Sequence, residues 1–496
     1  VTSWDVVVVG AGNAALCAAL SARESGAQVL VLERAPLTER GGNTAYTAGA
    51  MRFVYEGIDD VMQLVPELTD GEREITDFGA YTAAQFFDDM DRVTQSRSDP
   101  DLVEVLVHRS FPTLKWMRSK GVRFAPSYGR QAYNFEGRFT FWGGLAVEVN
   151  GGGQGLIEAL THACKRDGIT IQYGSRATSL IQEKGRIVGV QVRRDGETED
   201  IRANAVVLAC GGFQSNAEWR ARYLGPNWDL AKVRGTRFNT GDGIKMALAA
   251  DAMPWGHWSG CHAVSWELNA PPFGDLTIGD SFQKHSYPLG IVVNAEGKRF
   301  LDEGADFRNY TYAKYGHLIL EQPGQFAWQV FDSKVLHLLR DEYHIREVSK
   351  RSANSLEELA AKLDGVDPEG FLRTVTEYNA AVDQDTKFNP NVKDGRATRN
   401  LAVRKSNWAG TLDTPPFEAY AVTCGITFTF GGLRIDTSAQ VMDTEGIAIP
   451  GLYACGELVG GIFYFNYPGG TGLTNGAVFG HIAGKSAAAS GTDQAE

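Results

Sequence analysis

Two short apolar runs stand near the start of the chain, Val6-Val7-Val8-Val9 and Val29-Leu30-Val31-Leu32. β-Branched and apolar on both faces, such runs predict strands in the middle of a parallel sheet. Residues 13–25 between them are alanine-rich, carry Leu16 and Leu20 one turn apart and stop at Gly26, which predicts a helix. Across residues 61–120 apolar positions such as Phe86, Met90 and Val93, then Leu114, Met117 and Val122, recur at helical spacing and predict a helical scaffold. A helix to about residue 166 and a strand at 169–173 follow. Residues 177–181, 187–192 and 201–203 alternate with polar turns and predict a β-meander, and residues 205–210 predict another buried strand. From 251 to 415 the pattern changes, with dense aromatics, histidines and prolines. There a strand–turn–strand is expected at 290–303, and helices at 356–363 and 368–383, where Phe371, Val375 and Tyr378 share one face. A last strand at 451–457 and a glycine-rich loop lead into a terminal helix that runs to about residue 489.

The turns between these elements carry the candidate chemistry. Gly10 permits a tight turn out of the first strand, and Gly12 lets backbone approach a pyrophosphate. Asn13 and Ala14 open the helix, whose positive N-terminal end favours a phosphate, and Ala15 is the small residue that lets helix and strand pack. Glu33 ends the second strand about 20 residues past the glycines, where a carboxylate accepts hydrogen bonds from an adenosine ribose. Strand, turn, helix, second strand and acid together predict a dinucleotide site. Arg34, the loop Gly41-Gly42-Asn43-Thr44, Ala177, Gly211 and Gly212, and Asp242 in a Gly-Asp-Gly turn are further candidate cofactor contacts. So are Gly456 and Glu457, and Gly472, Leu473 and Thr474 at the head of the terminal helix.

Composition narrows the class. The chain has 496 residues, 43% hydrophobic and 22% charged, ordinary for a globular protein and long enough for two or more domains. Its net charge of −12 points to neither nucleic acid nor an anionic membrane, so an anionic substrate would need basic residues focused locally. Six scattered cysteines with no C-x-x-C pair predict no metal site and no disulfide framework, and suit a reducing, cytoplasmic setting. No apolar run reaches the roughly 18 residues of a membrane span, and no signal peptide is recognisable in the sequence.

The order of these motifs is similar to that of the flavoprotein family of fumarate reductase and succinate dehydrogenase. The resemblance is carried by the N-terminal fingerprint, Gly41-Gly42-Asn43-Thr44, Ala209-Cys210-Gly211-Gly212, Thr240-Gly241-Asp242-Gly243 and Ala454-Cys455-Gly456-Glu457. Within the family the chain looks most like the tricarballylate dehydrogenases, through residues 13–20, 234–239, 413–417 and 425–430. The resemblance implies an α/β fold. A Rossmann-like FAD-binding domain with a β-meander would span residues 1–250 and 416–496, and an inserted α+β capping domain, residues 251–415, would close over the flavin. It implies FAD as cofactor, with Glu457 on its sugar-phosphate part and the terminal helix aimed at the pyrimidine edge of the flavin, favouring the reduced anion. The FAD is expected to be non-covalent, because Gly42-Asn43-Thr44 stands where succinate dehydrogenases attach it through a histidine. The implied activity is dehydrogenation or reduction of a carbon–carbon bond of a small, tricarballylate-like carboxylic acid. With no iron–sulfur or haem ligand set in the chain, the electron acceptor would be separate and is unidentified.

Such chemistry also needs a proton carrier and cations for carboxylates. In fumarate reductases an arginine shortly after an Arg-Phe-x-x-Glu turn carries the proton. Arg308 stands in that neighbourhood, one residue late after Glu303, with a relay through Glu303 or Asp306 and with Tyr310 or Tyr312 as alternatives. The competing reading is a structural ion pair of Arg308 with Asp302 or Asp306. Arg52, Arg237, His262 and His285 are candidate substrate ligands, and His262 resembles the family's substrate histidine. The family's second histidine is replaced by Thr427 and Phe428, and its arginine clamp by Tyr467-Pro468-Gly469-Gly470. The Tyr467 turn looks like the carbonyl-binding turn of 3-ketosteroid dehydrogenases. A less charged carbonyl substrate, or a subunit that works with an electron-transfer partner, is therefore the alternative.

Overall fold

The computed structural model describes residues 3–490. Strand β1 (Ser3–Val9) turns at Gly10, φ +111°, into helix α1 (Asn13–Glu24), and the chain returns as β2 (Val29–Leu32). β1 lies inside an eight-stranded sheet, parallel to β2 on one side and to Glu197–Leu208 on the other. Both valine-rich runs are buried on both faces, as an interior parallel strand requires. The terminal helix Thr471–Ala489 lies directly on α1: Gly480 and Gly484 face the carbonyls of Ala14 and Ala18 with no room for a Cβ.

The meander consists of Arg176–Glu183, Arg186–Arg194 and Glu197–Leu208, antiparallel in that order. The strands expected separately at 201–203 and 205–210 are one. The first half of Glu197–Leu208 pairs with Arg186–Arg194, the second half with β1 and Ala448–Ala454. The strand changes partners without a break, and the Asn204 side chain at the changeover donates to Asp5 Oδ1 at 3.2 Å.

A second sheet of six strands is built on Phe417–Leu433, which pairs with Pro254–Glu267, Phe326–Phe331, Lys350–Ala353 and Lys232–Val233. The boundary expected after residue 415 falls just before this strand, which stays in the second sheet. Helices Leu356–Lys362 and Pro368–Ala381 cover its flank, with Phe371, Val375 and Tyr378 buried together. Of the strand–turn–strand expected at 290–303, only Ile291–Val293 is a strand. The return is a single bridge from Val293 to Arg299, because Arg299 turns inward to a buried ion pair with Glu303. The helical scaffold includes Ala83–Thr94, capped by Thr82 with Gln85, and Pro100–Ser119, capped by Asp99. No helix among the described residues is long and apolar enough to cross a membrane.

Candidate active site

A cleft runs from the ends of β1 and β2, past the head of the terminal helix, to the second sheet. With its open mouth it encloses about 1810 Å³, room for a dinucleotide with a small molecule beside it. Gly10, Gly12, Asn13 and Ala14 line one end. α1 has no side-chain cap at Gly12, so its first turn offers backbone N–H groups to an anion. The Asn13 side chain donates to the Leu473 carbonyl at 2.7 Å and ties α1 to the terminal helix, which also lacks a side-chain cap.

Glu33 lines the cleft and accepts backbone N–H bonds from Ala11 at 2.8 Å and Ala35 at 2.7 Å, locking the glycine turn to the end of β2. Burial pushes its carboxyl up from the usual range, against those bonds. Asp242 opens the helix Asp242–Ala249 but is held by arginines: Arg34 Nη1 at 3.0 Å, and Arg176 Nε at 2.8 Å and Nη2 at 3.0 Å. Glu457 accepts from the Thr429 N–H at 3.0 Å, Asn239 at 3.2 Å and Gln214 at 3.3 Å, and burial pushes it up to about 7. Gly42, Asn43, Thr44, Ala177, Gly211, Gly456, Gly472 and Leu473 also line the cleft. The Asn43 amide crosses to the second sheet, donating to the Thr427 carbonyl.

Four residues expected at the cofactor stand behind the wall. Ala15 is fully buried on the inner side of α1, Gly41 backs onto Ile157, and Gly212 backs onto Thr429 and Glu457. Thr474 donates to the Arg52 carbonyl at 2.7 Å, one turn into the helix.

At the other end Arg308 lines the cleft. Its Nη1 lies 3.1 Å from His285 Nδ1, and its Nη2 donates to the Arg130 carbonyl at 2.9 Å. Burial lowers its pKa, Arg340 and Arg130 push the same way, and Glu342 opposes them. The ion pair with Asp302 or Asp306 does not form. Asp306 pairs with Arg92 at 2.8 Å and Lys393 at 3.4 Å, and Asp302 accepts from Ser406. A relay through Glu303 is closed too, because Glu303 is wholly buried against Arg299 and the Val292 N–H.

Tyr310 is displaced from the cleft: its hydroxyl meets Asp89 and the Gly143 carbonyl. Tyr312 lines the cleft instead, its hydroxyl 2.6 Å from that of Tyr467. Tyr467 also receives the Gly470 N–H at 3.2 Å. Arg52 is fully buried away from the cleft, donating to the carbonyls of Gly469, at 2.9 Å, and Gly143, so it braces the Tyr467 loop. The Arg237 side chain is 55% exposed and pairs with Glu39 at 2.6 Å on the surface.

His262 stacks on Phe428, centroids 5.1 Å apart, and meets Tyr312 and Tyr467 edge-on, behind the wall they form. Both its ring nitrogens are buried without a hydrogen-bond partner, and burial drives its pKa well down. His285 lies behind Tyr312, its pKa likewise lowered by burial and then by Arg308. Thr427 does line the cleft, accepting from Arg234 Nη1 at 3.3 Å.

Three residues that sequence reasoning missed complete this end: Arg130, Arg234 and Asp280. Arg234 Nε is 2.8 Å from Asp280 Oδ1, and Arg130 Nη1 is 3.0 Å from Asp280 Oδ2. No local pattern marks Arg234: the strand before it is only Lys232–Val233, and its pairing with Gly425 and Ile426 is tertiary.

Residues 5–473 match the family model of the FAD binding domain. The chain is 30% identical over 501 residues to the probable fumarate reductase Ifc3 of Shewanella frigidimarina, covering 99% of this chain and 76% of that protein. It is 26% identical over 576 residues to a 3-oxosteroid 1-dehydrogenase of Mycobacterium tuberculosis, covering 97% of this chain and 98% of that protein. The open conformation of a flavocytochrome c3 fumarate reductase superposes with a TM-score of 0.72 at 27% identity, over 99% of this chain and 78% of that one. The cleft fits the cofactor these matches indicate: an uncapped helix end for phosphate, a buried carboxylate at the end of β2, and room for a flavin before the second sheet. The chain belongs to the FAD-binding flavoprotein family of the fumarate reductases, and it is an FAD-dependent oxidoreductase.

Proposed function

We propose that this flavoenzyme reduces, or in the reverse direction forms, a carbon–carbon double bond beside a carboxylate of a small acid. Bound FAD supplies the hydride chemistry. The observation that carries the reading is Arg308, a partly buried guanidinium on the cleft wall that forms no ion pair among the described residues. His285 and the Arg130 carbonyl fix its fork, so one edge can face substrate. There it orients the acid and exchanges a proton at the carbon beside the one that receives hydride. Arg234, held by Asp280 and Thr427, shapes the wall beside it, and the cleft wall excludes water. Gly10, Gly12, Asn13 and Glu33 hold the pyrophosphate and ribose of FAD, and the head of the terminal helix supports negative charge on the flavin.

Mixing anaerobically reduced enzyme with a panel of unsaturated acids tests this. Reoxidation by an acid is expected, slowed roughly a hundredfold or more in Arg308→Ala with flavin retained. The saturated triacid tricarballylate belongs in the panel with oxidised enzyme, on the strength of the sequence resemblance. A second reading is favoured by the Tyr312–Tyr467 hydroxyl pair, 2.6 Å apart on the cleft wall, which can donate to a ketone oxygen. It is supported by the relationship to 3-oxosteroid 1-dehydrogenase. Reaction with 3-oxosteroids alone would establish it in place of the acid. The FAD is held non-covalently in this proposal, and the electron partner is a separate molecule. Acid precipitation should leave the yellow colour in the supernatant; colour that stays with the pellet contradicts non-covalent binding.

A further inference from the structure

We infer that the acid is a monocarboxylate with a flat apolar body, and that Asp280 is a built-in anion that excludes di- and tricarboxylates. The inference rests on the acid reading above. Asp280, with a side chain only 5% exposed, sits on the cleft wall between Arg130 and Arg234. Its Oδ1 takes both Nε and Nη2 of Arg234, the two-pronged edge by which an arginine grips a carboxylate. Nη1 of Arg234 donates to Thr427 at 3.3 Å. Asp280 Oδ2 takes Arg130 Nη1 and the amide of Gln283. Asp280 therefore stands in the place that a second ligand carboxylate would need.

Behind the wall the balance is the same. Glu148 accepts from Ser127 at 2.7 Å and acts on Arg130, and Glu342 acts on both Arg130 and Arg308. The hydrogen-bonded carboxylate pairing is thus with Arg130 and Arg234, while Arg340 adds positive charge beside Arg308. Burial lowers the pKa of both His262 and His285, toward the neutral form. One carboxylate can use Arg308, which forms no ion pair with the protein among the described residues. Each further carboxylate would bring an uncompensated buried charge close to Asp280. The adjoining wall is aromatic: Phe428 and Phe463 each lie 5.3 Å from Tyr467, centroid to centroid, and all three line the cleft. A planar apolar group fits against them.

Titrating the oxidised holoenzyme and following the flavin absorbance gives the test. The probes are 3-phenylpropenoate, propenoate, trans-butenedioate and tricarballylate. The expected order places 3-phenylpropenoate at least about tenfold tighter than trans-butenedioate, with tricarballylate weakest. In Asp280→Asn the preference should shift about tenfold or more toward trans-butenedioate, while Asp280→Glu, which keeps the charge, should retain the wild-type order. Trans-butenedioate or tricarballylate binding the wild type as tightly as 3-phenylpropenoate overturns the inference and leaves the acid reading standing. If no acid perturbs the flavin and a 3-oxosteroid does, the acid reading itself falls. Should Asp280→Asn lose its flavin, the wild-type order and the Asp280→Glu order still decide. An unchanged order in a folded Asp280→Asn removes Asp280 from the account.

Discussion

Glu457 holds its carboxyl among three hydrogen-bond donors, yet burial outweighs them and pushes it up to about 7. The native protein therefore keeps a proton that the unfolded chain releases near pH 4.5. The sign follows: Glu457 contributes stability fully below pH 4.5 and loses it as pH rises through about 7. Its share is about 3 kcal/mol. For the apoprotein, the difference in unfolding free energy between wild type and Glu457→Gln should fall by about that amount between pH 4.5 and 7.5, as read by denaturant titration. A flat difference would show that the carboxyl titrates normally in the fold. Arg234 and Arg237 give a second residue-scale test. Spacing alone does not separate them, since both follow the same short strand; tertiary pairing does. Arg234 is buried on the cleft wall, and Arg237 pairs with Glu39 outside. Arg234→Lys should raise KM about tenfold, because a lysine cannot hold Asp280 and Thr427 together, while Arg237→Lys should leave KM unchanged. Steady-state kinetics with flavin content monitored would check both.

The elements that could be read from sequence are those whose own pattern decides them. β1, α1 and β2 were legible because a buried parallel strand needs an unbroken apolar run and the helix is marked by Gly26 at its end. The second sheet was not legible as a sheet. Phe417–Leu433 is as apolar as an interior strand, but nothing local says that it pairs with Pro254–Glu267, far away in sequence. The site followed the same division: the glycine turns of the cofactor end were visible, and the Arg130–Asp280–Arg234 cluster, gathered from three distant segments, was not. Packing of α1 on the terminal helix carries the element-scale prediction. Gly480 lies against the Ala14 carbonyl and 3.1 Å, measured from an ideal Cβ, from the Cys17 side chain. Gly480→Val should force the two helices apart, costing roughly 1–3 kcal/mol or more. Since Ala14 and Leu473 line the cofactor end, flavin occupancy should fall with Tm. Thermal melts that stay at the wild-type temperature, with full flavin, would show that the helices can adjust.

On the scale of the whole molecule, charge sets an opposition between surface and site. The chain carries a net charge of −12, so its outer field repels an anionic substrate, while the Arg308 guanidinium that would receive the carboxylate lies partly buried on the cleft wall. Salt acts unequally on the two. Exposed charges more than about 10 Å apart are largely screened at 0.1 M ionic strength, whereas buried pairs are screened much less. Raising the ionic strength should therefore weaken the long-range repulsion more than the local attraction. For an acid substrate, kcat/KM should hold or rise by up to about twofold between about 0.02 and 0.2 M salt, where an enzyme that gathers anions on an exposed basic patch would lose rate. A neutral 3-oxosteroid should show no dependence in either direction. A steep fall with salt for the acid would place its recognition on the surface, at groups such as Arg237, and not at Arg308 inside the cleft.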